Sequence, residues 1–323
     1  MADHRLVVTE PPHLTSGESV RRAMLDVLLA LGLVTLVSLY YFRWNAALLI
    51  SVSLLTAVIV DLIAKRIKGR PLAFGDGSVL VTGLLVALCL PPLAGWWVAV
   101  FATALAVGVA KEWMGGLGWN RFNPAAFGRA GVILLWEVTV WLNQQLATLR
   151  LTFPVSPVVA DAVTGATPLA LLKRGLLDVS YGQLLVAYPG GALGETSAIA
   201  LLAGGLYLVY RKHICWRVPA AMIGSVVVFS ALFGSDPFYH VLTGGLLLGA
   251  FFMATDWVTS PITDRGKILF GVLIGLLVVV FRVFLASTES VVFSILIMNA
   301  FVPVIDRVTR RRKFGQVSLT RTA

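Results

Sequence analysis

Long apolar runs separated by short basic turns dominate this chain. Ten runs approach the length of a membrane-spanning helix: 24–42, 45–64, 77–94, 96–111, 124–142, 195–210, 216–233, 238–256, 267–285 and 288–306. A helix crossing roughly 30 Å of hydrocarbon needs about 20 mostly apolar residues. Several runs are short: Pro91-Pro92 truncates the third, and Gly204-Gly205 interrupts the sixth. The pattern predicts an all-α polytopic membrane protein with about ten transmembrane helices. Residues 1–23 carry Asp3, Glu10, Pro11-Pro12 and Glu18, and the first run leads into Tyr40-Tyr41-Phe42-Arg43 without a small-residue cleavage site. The first run is therefore expected to be a retained helix and not a signal peptide.

Composition narrows the class. Of 323 residues, 58% are hydrophobic and only 13% charged, about half the charged share of a soluble domain. An ordinary soluble enzyme, a disordered chain and a disulfide-rich secreted module are excluded. The net charge of +10 comes from residues at the edges of apolar runs. No basic stripe is paired with stacking aromatics, so no nucleic acid is expected as a partner. With the N-terminus in the cytoplasm, 20 Lys and Arg fall in inside segments and 4 outside. That asymmetry predicts both termini cytoplasmic. Two cysteines, Cys89 and Cys215, are too few for one chain to hold an iron–sulfur cluster. The histidines His4, His13, His213 and His240 show no metal-ligand spacing, and no metal site is expected.

The runs divide the chain into 1–23, a cytoplasmic segment; 24–142, a first five-helix half; 143–193, an extracytoplasmic loop; 194–306, a second half; and 307–323, a basic cytoplasmic tail. Gly75-Asp76-Gly77-Ser78 opens the third run and Gly194-Glu195-Thr196-Ser197 the sixth, at an offset of 119 that Trp97 and Trp216 share. The third run starts inside and the sixth outside, which is the pattern of an inverted-topology repeat. Two independent helix caps would give the same residues, since Gly, Asp and Ser are favoured there.

The long loop contains Asp161-Ala162-Val163-Thr164-Gly165-Ala166-Thr167-Pro168-Leu169. Read from its residues, this is a turn at Gly165 with Thr167 capping a short helix that starts at Pro168. The segment also resembles the flavin-attachment motif Asp-x-x-Ser/Thr-Gly-Ala-Thr. That resemblance makes Thr167 the residue whose hydroxyl forms a phosphoester with FMN, with Asp161, Thr164, Gly165 and Ala166 as recognition residues. It implies an ApbE-type FMN transferase that makes the bond from FAD using a metal ion.

Further stretches resemble the RnfD/NqrB family of membrane flavoproteins over nearly the whole chain. They are Gly115 to Ala125 (GGLGWNRFNPA), Gly194 to Ala198 (GETSA), Met253 to Pro261 (MATDWVTSP) and Met298 to Arg307 (MNAFVPVIDR). The short N-terminal segment is more similar to the RnfD branch. Trp257 stands where the family more often has proline, a departure that bears on local helix termination. The resemblance implies a fold of two five-helix inverted repeats, similar to the urea-transporter type, in a bacterial-type inner membrane. It implies a subunit of an Rnf-type complex, which passes electrons between ferredoxin and NAD and exports Na⁺ or H⁺. It also implies a second, non-covalent flavin, riboflavin, between helices. NAD and ferredoxin would bind other subunits, and this chain has neither a Rossmann fingerprint nor a ferredoxin-like cysteine run.

Ionisable residues near spans cost free energy and usually face a bundle interior or cavity. Asp76, Glu112, Glu195 and Asp256 stand at span ends and are ion-path candidates. There, carboxylates beside broken-helix carbonyls would supply oxygen ligands; solvated helix caps are the other reading. Arg129 and Arg282, inside spans, are expected to pair internally or to approach an anionic flavin. Glu137 is expected to reach water. A transporter or channel without redox chemistry would share the inverted repeat and the intramembrane acids; the Asp161-to-Thr167 motif distinguishes it.

Overall fold

The computed structural model describes residues 19–70, 76–148, 180–188, 190–285 and 289–310. Among them all regular structure is helical. Helix α1 (Val20–Ile67) joins the first two apolar runs and breaks at Arg43, whose φ of 46° and ψ of −114° are non-helical. Ser19 caps its start by accepting the Arg22 amide at 3.2 Å. Helix α2 (Ser78–Leu88) is followed by α3 (Trp96–Ala104), which widens without interruption into a π-helical stretch at Leu105–Trp113. Helix α4 (Pro124–Thr148) starts on a proline, which suits the first helical position because its missing N–H would be unpaired anyway. Beyond the central loop come α5 (Tyr181–Val186), a 3-10 turn (Leu193–Glu195), α6 (Ala198–Tyr210) and α7 (Arg217–Leu232). The chain closes with α8 (Pro237–Leu242), α9 (Leu246–Leu248) widening into π-helical Gly249–Met253, α10 (Asp264–Phe284) and α11 (Ser290–Thr309).

Among the described residues three helices, α1, α10 and α11, are long and apolar enough to cross a membrane. The runs expected at 77–94 and 195–210 form helices of only 11 and 13 residues, because Pro91-Pro92 ends one and the 3-10 turn delays the other. At 1.5 Å per residue α2 covers about 16 Å, roughly half the hydrocarbon core. The run at 238–256 is broken between α8 and α9 by Gly244 and Gly245, both at positive φ. Helix α4 continues to Thr148, past the boundary expected at 142. Gln144, Gln145, Leu146 and Ala147 are good helix formers and give no reason to stop. On the far side, α5 lies inside the stretch expected to be loop. Glu137 is exposed.

Small residues set the closest helix approaches. A Cβ at Gly128 of α4 would lie 2.3 Å from the Ala102 carbonyl of α3, and one at Gly204 of α6 would lie 2.7 Å from the Ala30 carbonyl of α1. This is how apolar helices gain packing where no hydrophobic drive separates them from lipid. The core they enclose runs from Ala30 and Leu31 of α1 through Leu84 to Leu90, Phe251 to Met253, Phe270 and Ile295.

Helices α2 and α6 run in opposite directions. The amide of Leu193, just before α6, donates to the Leu90 carbonyl just after α2 at 2.9 Å. At the other end, Ser78 at the start of α2 and Leu208 near the end of α6 line one cleft. Gly194 makes the first junction possible, since a Cβ there would lie 2.9 Å from the Leu88 carbonyl.

A cleft where the motifs converge

The cleft at the start of α2, with a volume of about 100 Å³, is the candidate site. Gly77 opens α2 at φ 74°, a left-handed conformation that glycine adopts without steric cost. The turn brings the Asp76 carboxylate back on Ser78, accepting from its amide at 3.1 Å and its hydroxyl at 2.9 Å. Lys111, at the end of the π-helical stretch, donates to the same Ser78 hydroxyl at 2.7 Å. Its side chain is buried, so this chain of Lys111, Ser78 and Asp76 satisfies an ammonium that would otherwise be costly to bury. π-Helical widenings of this kind recur at functional sites.

Two buried asparagines fasten three motifs together. Asn123 donates from its side-chain amide to the Met253 carbonyl at 3.0 Å, and its side-chain oxygen accepts the Ala126 amide at 3.0 Å, capping α4. The Asn123 backbone amide donates to the Asn299 side-chain oxygen at 3.0 Å, and Asn299 donates to the Thr259 carbonyl at 3.0 Å. The stretches around 115–125, 253–261 and 298–307, far apart in sequence, therefore share one hydrogen-bond network. Asp256 lies within it, accepting from Asn120 at 3.3 Å and from the Thr259 hydroxyl at 3.0 Å. Trp257 donates its indole N–H to the His213 carbonyl at 2.6 Å. Trp257 thus ties this segment to the turn after α6.

His213 also lines the cleft. Its Nε2 lies 2.6 Å from Asp26 of α1, which accepts from Tyr207 at 2.9 Å and from Arg211 at 3.1 Å. The cluster joins the start of α1 to the end of α6. Glu112 is buried behind the cleft, 3.5 Å from Lys68 and 4.0 Å from Arg70. One of its oxygens makes no hydrogen bond among the described residues.

Of the acids singled out in the sequence, Asp76, Glu112 and Asp256 gather at this end of the bundle. Glu195 does not: it lies at the opposite end of α2, in a separate cavity with Cys89 and Glu289. Arg129 pairs internally with Glu289, as its position within an apolar run suggested. Asp161, Thr164, Gly165, Ala166 and Thr167 lie outside the described residues. The sequence reading missed Asp26, Lys111, His213 and Glu289. Asp26, just inside the first apolar run, carried the signal of an intraspan carboxylate. In sequence Lys111 reads as a charge at the edge of an apolar run, and His213 stands without metal-ligand spacing. Among the described residues no group of three or more metal-ligating side chains occurs.

The cleft is lined both by apolar side chains, among them Met24, Val27, Leu85, Phe251 and Phe252, and by polar ones, among them Ser78, Lys111, Asn120, Thr255 and Asp256. An apolar pocket with a few convergent polar groups is the usual form of a small-molecule site.

Comparison with known proteins agrees with the motifs. The D subunit of the proton-translocating ferredoxin:NAD(+) oxidoreductase complex of Clostridium ljungdahlii is 38% identical, covering 95% of this chain and 96% of its own. The D subunit of the Na(+)-translocating ferredoxin:NAD(+) oxidoreductase complex of Acetobacterium woodii is 36% identical over 100% and 99%. The D subunit of the ion-translocating oxidoreductase complex of Stutzerimonas stutzeri is 40% identical over 92% and 93%. The model of the NQR2, RnfD, RnfE family matches residues 7–315, and the chain belongs to that family.

Proposed function

We propose that this chain is the RnfD-type subunit of an ion-translocating ferredoxin:NAD⁺ oxidoreductase complex, a membrane protein that carries electrons on flavin. The observation that carries the reading is end-to-end similarity to relatives bearing that name. The convergence of three family-like motifs on one cleft supports it. NAD and ferredoxin bind other subunits of the complex.

Covalent FMN is attached at Thr167. The threonine Oγ attacks the FMN-side phosphorus of FAD, a phosphoester forms, the hydroxyl proton is lost and AMP leaves. An ApbE-type transferase catalyses the step, and Asp161, Thr164, Gly165 and Ala166 present the hydroxyl to it. A second flavin, riboflavin, occupies the cleft at the start of α2. When bound it supplies one-electron chemistry. The chain's own residues would hold it: Lys111, Asn120 and Thr255 would meet its polar groups, and Phe251 and Phe252 its apolar part.

The chain crosses a bacterial-type inner membrane ten times in two inverted five-helix repeats, with both termini in the cytoplasm. The antiparallel course of α2 and α6 supports the repeat, and the 20-to-4 distribution of Lys and Arg supports the orientation. The cleft then faces the cytoplasmic half and Glu195 the outer half. Of the ion-path candidates, Asp76 is engaged in a cap on Ser78. Asp256 is likewise bound by Asn120 and Thr259, and all four acids, Asp76, Glu112, Asp256 and Glu195, stay candidates for the path.

Membranes bearing the complex without this chain should lose reduction of NAD⁺ by reduced ferredoxin. The wild-type chain should restore it and Thr167→Val should not. Full turnover without the chain would refute the reading.

A further inference from the structure

The ion that Glu195 handles can be read from the groups around it. The carboxylate lies against two backbone positions: a Cβ at Gly191 would be 2.6 Å from one oxygen, and one at Gly245 would be 3.1 Å from the other. Both glycines have positive φ. The cavity has a volume of about 30 Å³, room for one or two waters. Among the described residues no side chain donates a hydrogen bond to Glu195; the amide directed at it is that of Ala192.

The neighbouring charges have partners of their own, although Arg129 Nη1 makes no hydrogen bond among the described residues. Arg129 of α4 is bound to Glu289 through two of its nitrogens. Arg282 of α10 is fully buried. It donates to the carbonyls of His240 at 2.5 Å and of Thr243 and Gly244 at 3.0 Å each, and to the Ser290 hydroxyl at 3.0 Å. Its Nη1 also lies 3.4 Å from the His240 ring. Among the described residues no carboxylate touches it, so Glu195 opposes its charge across Gly244 and Gly245 without contact. Cys89, at the end of α2, and Glu289 are the other titratable groups lining this cavity.

Among the described residues this arrangement leaves no ligand set for a metal cation. The break between α8 and α9 exposes carbonyls of the kind that hold Na⁺ in broken-helix transporters. Here those carbonyls hold a guanidinium, which acts as a tethered cation. Glu289 is committed to Arg129. Hard cations such as Ca²⁺ and Mg²⁺ take about six oxygen ligands, and Glu195 with one or two waters falls short of that number.

We propose that Glu195 is a proton-binding carboxylate at the far end of α2, and that the ion it exchanges is H⁺ and not Na⁺. Binding converts the carboxylate to a carboxylic acid, with no bond broken elsewhere. Arg129, Arg282, Glu289 and Glu195 together change from no net charge to one positive charge. Glu289 remains bound to Arg129, and Arg282 keeps the helix break in place. The inference rests on the ion-translocating reading given above, but its test needs neither flavin nor turnover.

The test is pH-difference infrared spectroscopy of the purified full-length chain in lipid nanodiscs. A carboxylic acid C=O band should appear on acidification, disappear in Glu195→Gln and shift in Glu195→Asp. Adding Na⁺ at fixed pH should leave the band unchanged. Wild-type protein treated with a hydrophobic carbodiimide, which adds to protonated carboxyls, should carry the adduct on Glu195. That labelling should fall as pH rises and be indifferent to Na⁺. A band that survives in Glu195→Gln, or an adduct that appears on other carboxyls but not on Glu195, would overturn the assignment. Loss of band or adduct on adding Na⁺ would also overturn it, in favour of a metal-cation site.

Discussion

Replacing Asn123 with alanine tests whether the cleft is held together as described. The side chain makes two hydrogen bonds of 3.0 Å, to the Met253 carbonyl and from the Ala126 amide. Asn123 is 3% exposed, so water does not readily replace it. Each group left behind in a buried site costs about 1–3 kcal/mol. Two such groups give a loss of about 3 kcal/mol, in the lower half of the summed range. Cys89 is buried, so unfolding of the purified chain in detergent can be followed with a thiol-reactive dye. Asn123→Asp should be worse than Asn123→Ala, because it keeps the cap on Ala126 but turns a carboxylate oxygen toward the Met253 carbonyl. Asn299→Ala should destabilise by a similar amount and combine non-additively with Asn123→Ala, since the two share one network. A loss below about 0.5 kcal/mol for Asn123→Ala, the scale of an ordinary surface substitution, would refute the reasoning.

Other substitutions probe the remainder of the structure. Glu289→Gln leaves Arg129 buried without its partner and should cost about 3–5 kcal/mol, whereas Arg129→Met combined with Glu289→Met should recover much of that; thermal unfolding in detergent measures both. Gly194→Val places a Cβ 2.9 Å from the Leu88 carbonyl and should destabilise by about 1–3 kcal/mol by overpacking, read as a lower unfolding midpoint. A reporter active only outside the cytoplasm, fused after Arg312, should be silent; activity there contradicts the orientation given by the basic residues.

The sequence made the helical, membrane-suited class legible because burial in lipid leaves a coarse signal: apolar runs of a set length between basic turns. It was less informative where helices stop short. Pro91-Pro92 announced the end of α2. Nothing local showed that Glu195 would close a 3-10 turn before α6, since that turn depends on Gly194 meeting Leu88 across the bundle. The motifs around Asn123, Asp256 and Asn299 could be picked out one by one. Their convergence could not, because it rests on hydrogen bonds spanning more than a hundred residues. The Asp26 and His213 pair was hidden for the same reason. Arg282 looked like a charge in search of a carboxylate or a flavin. The structure gives it backbone carbonyls instead, a partner that side-chain identities do not reveal.

Covalent flavin on this chain tests the central claim most directly. The protein, co-produced with an FMN transferase, is purified, denatured in detergent and resolved on a gel. The account predicts a flavin-fluorescent band for wild type and a dark band, at equal membrane yield, for Thr167→Val. A dark wild-type band from cells whose transferase modifies a known target, or fluorescence that persists in Thr167→Val, would contradict it.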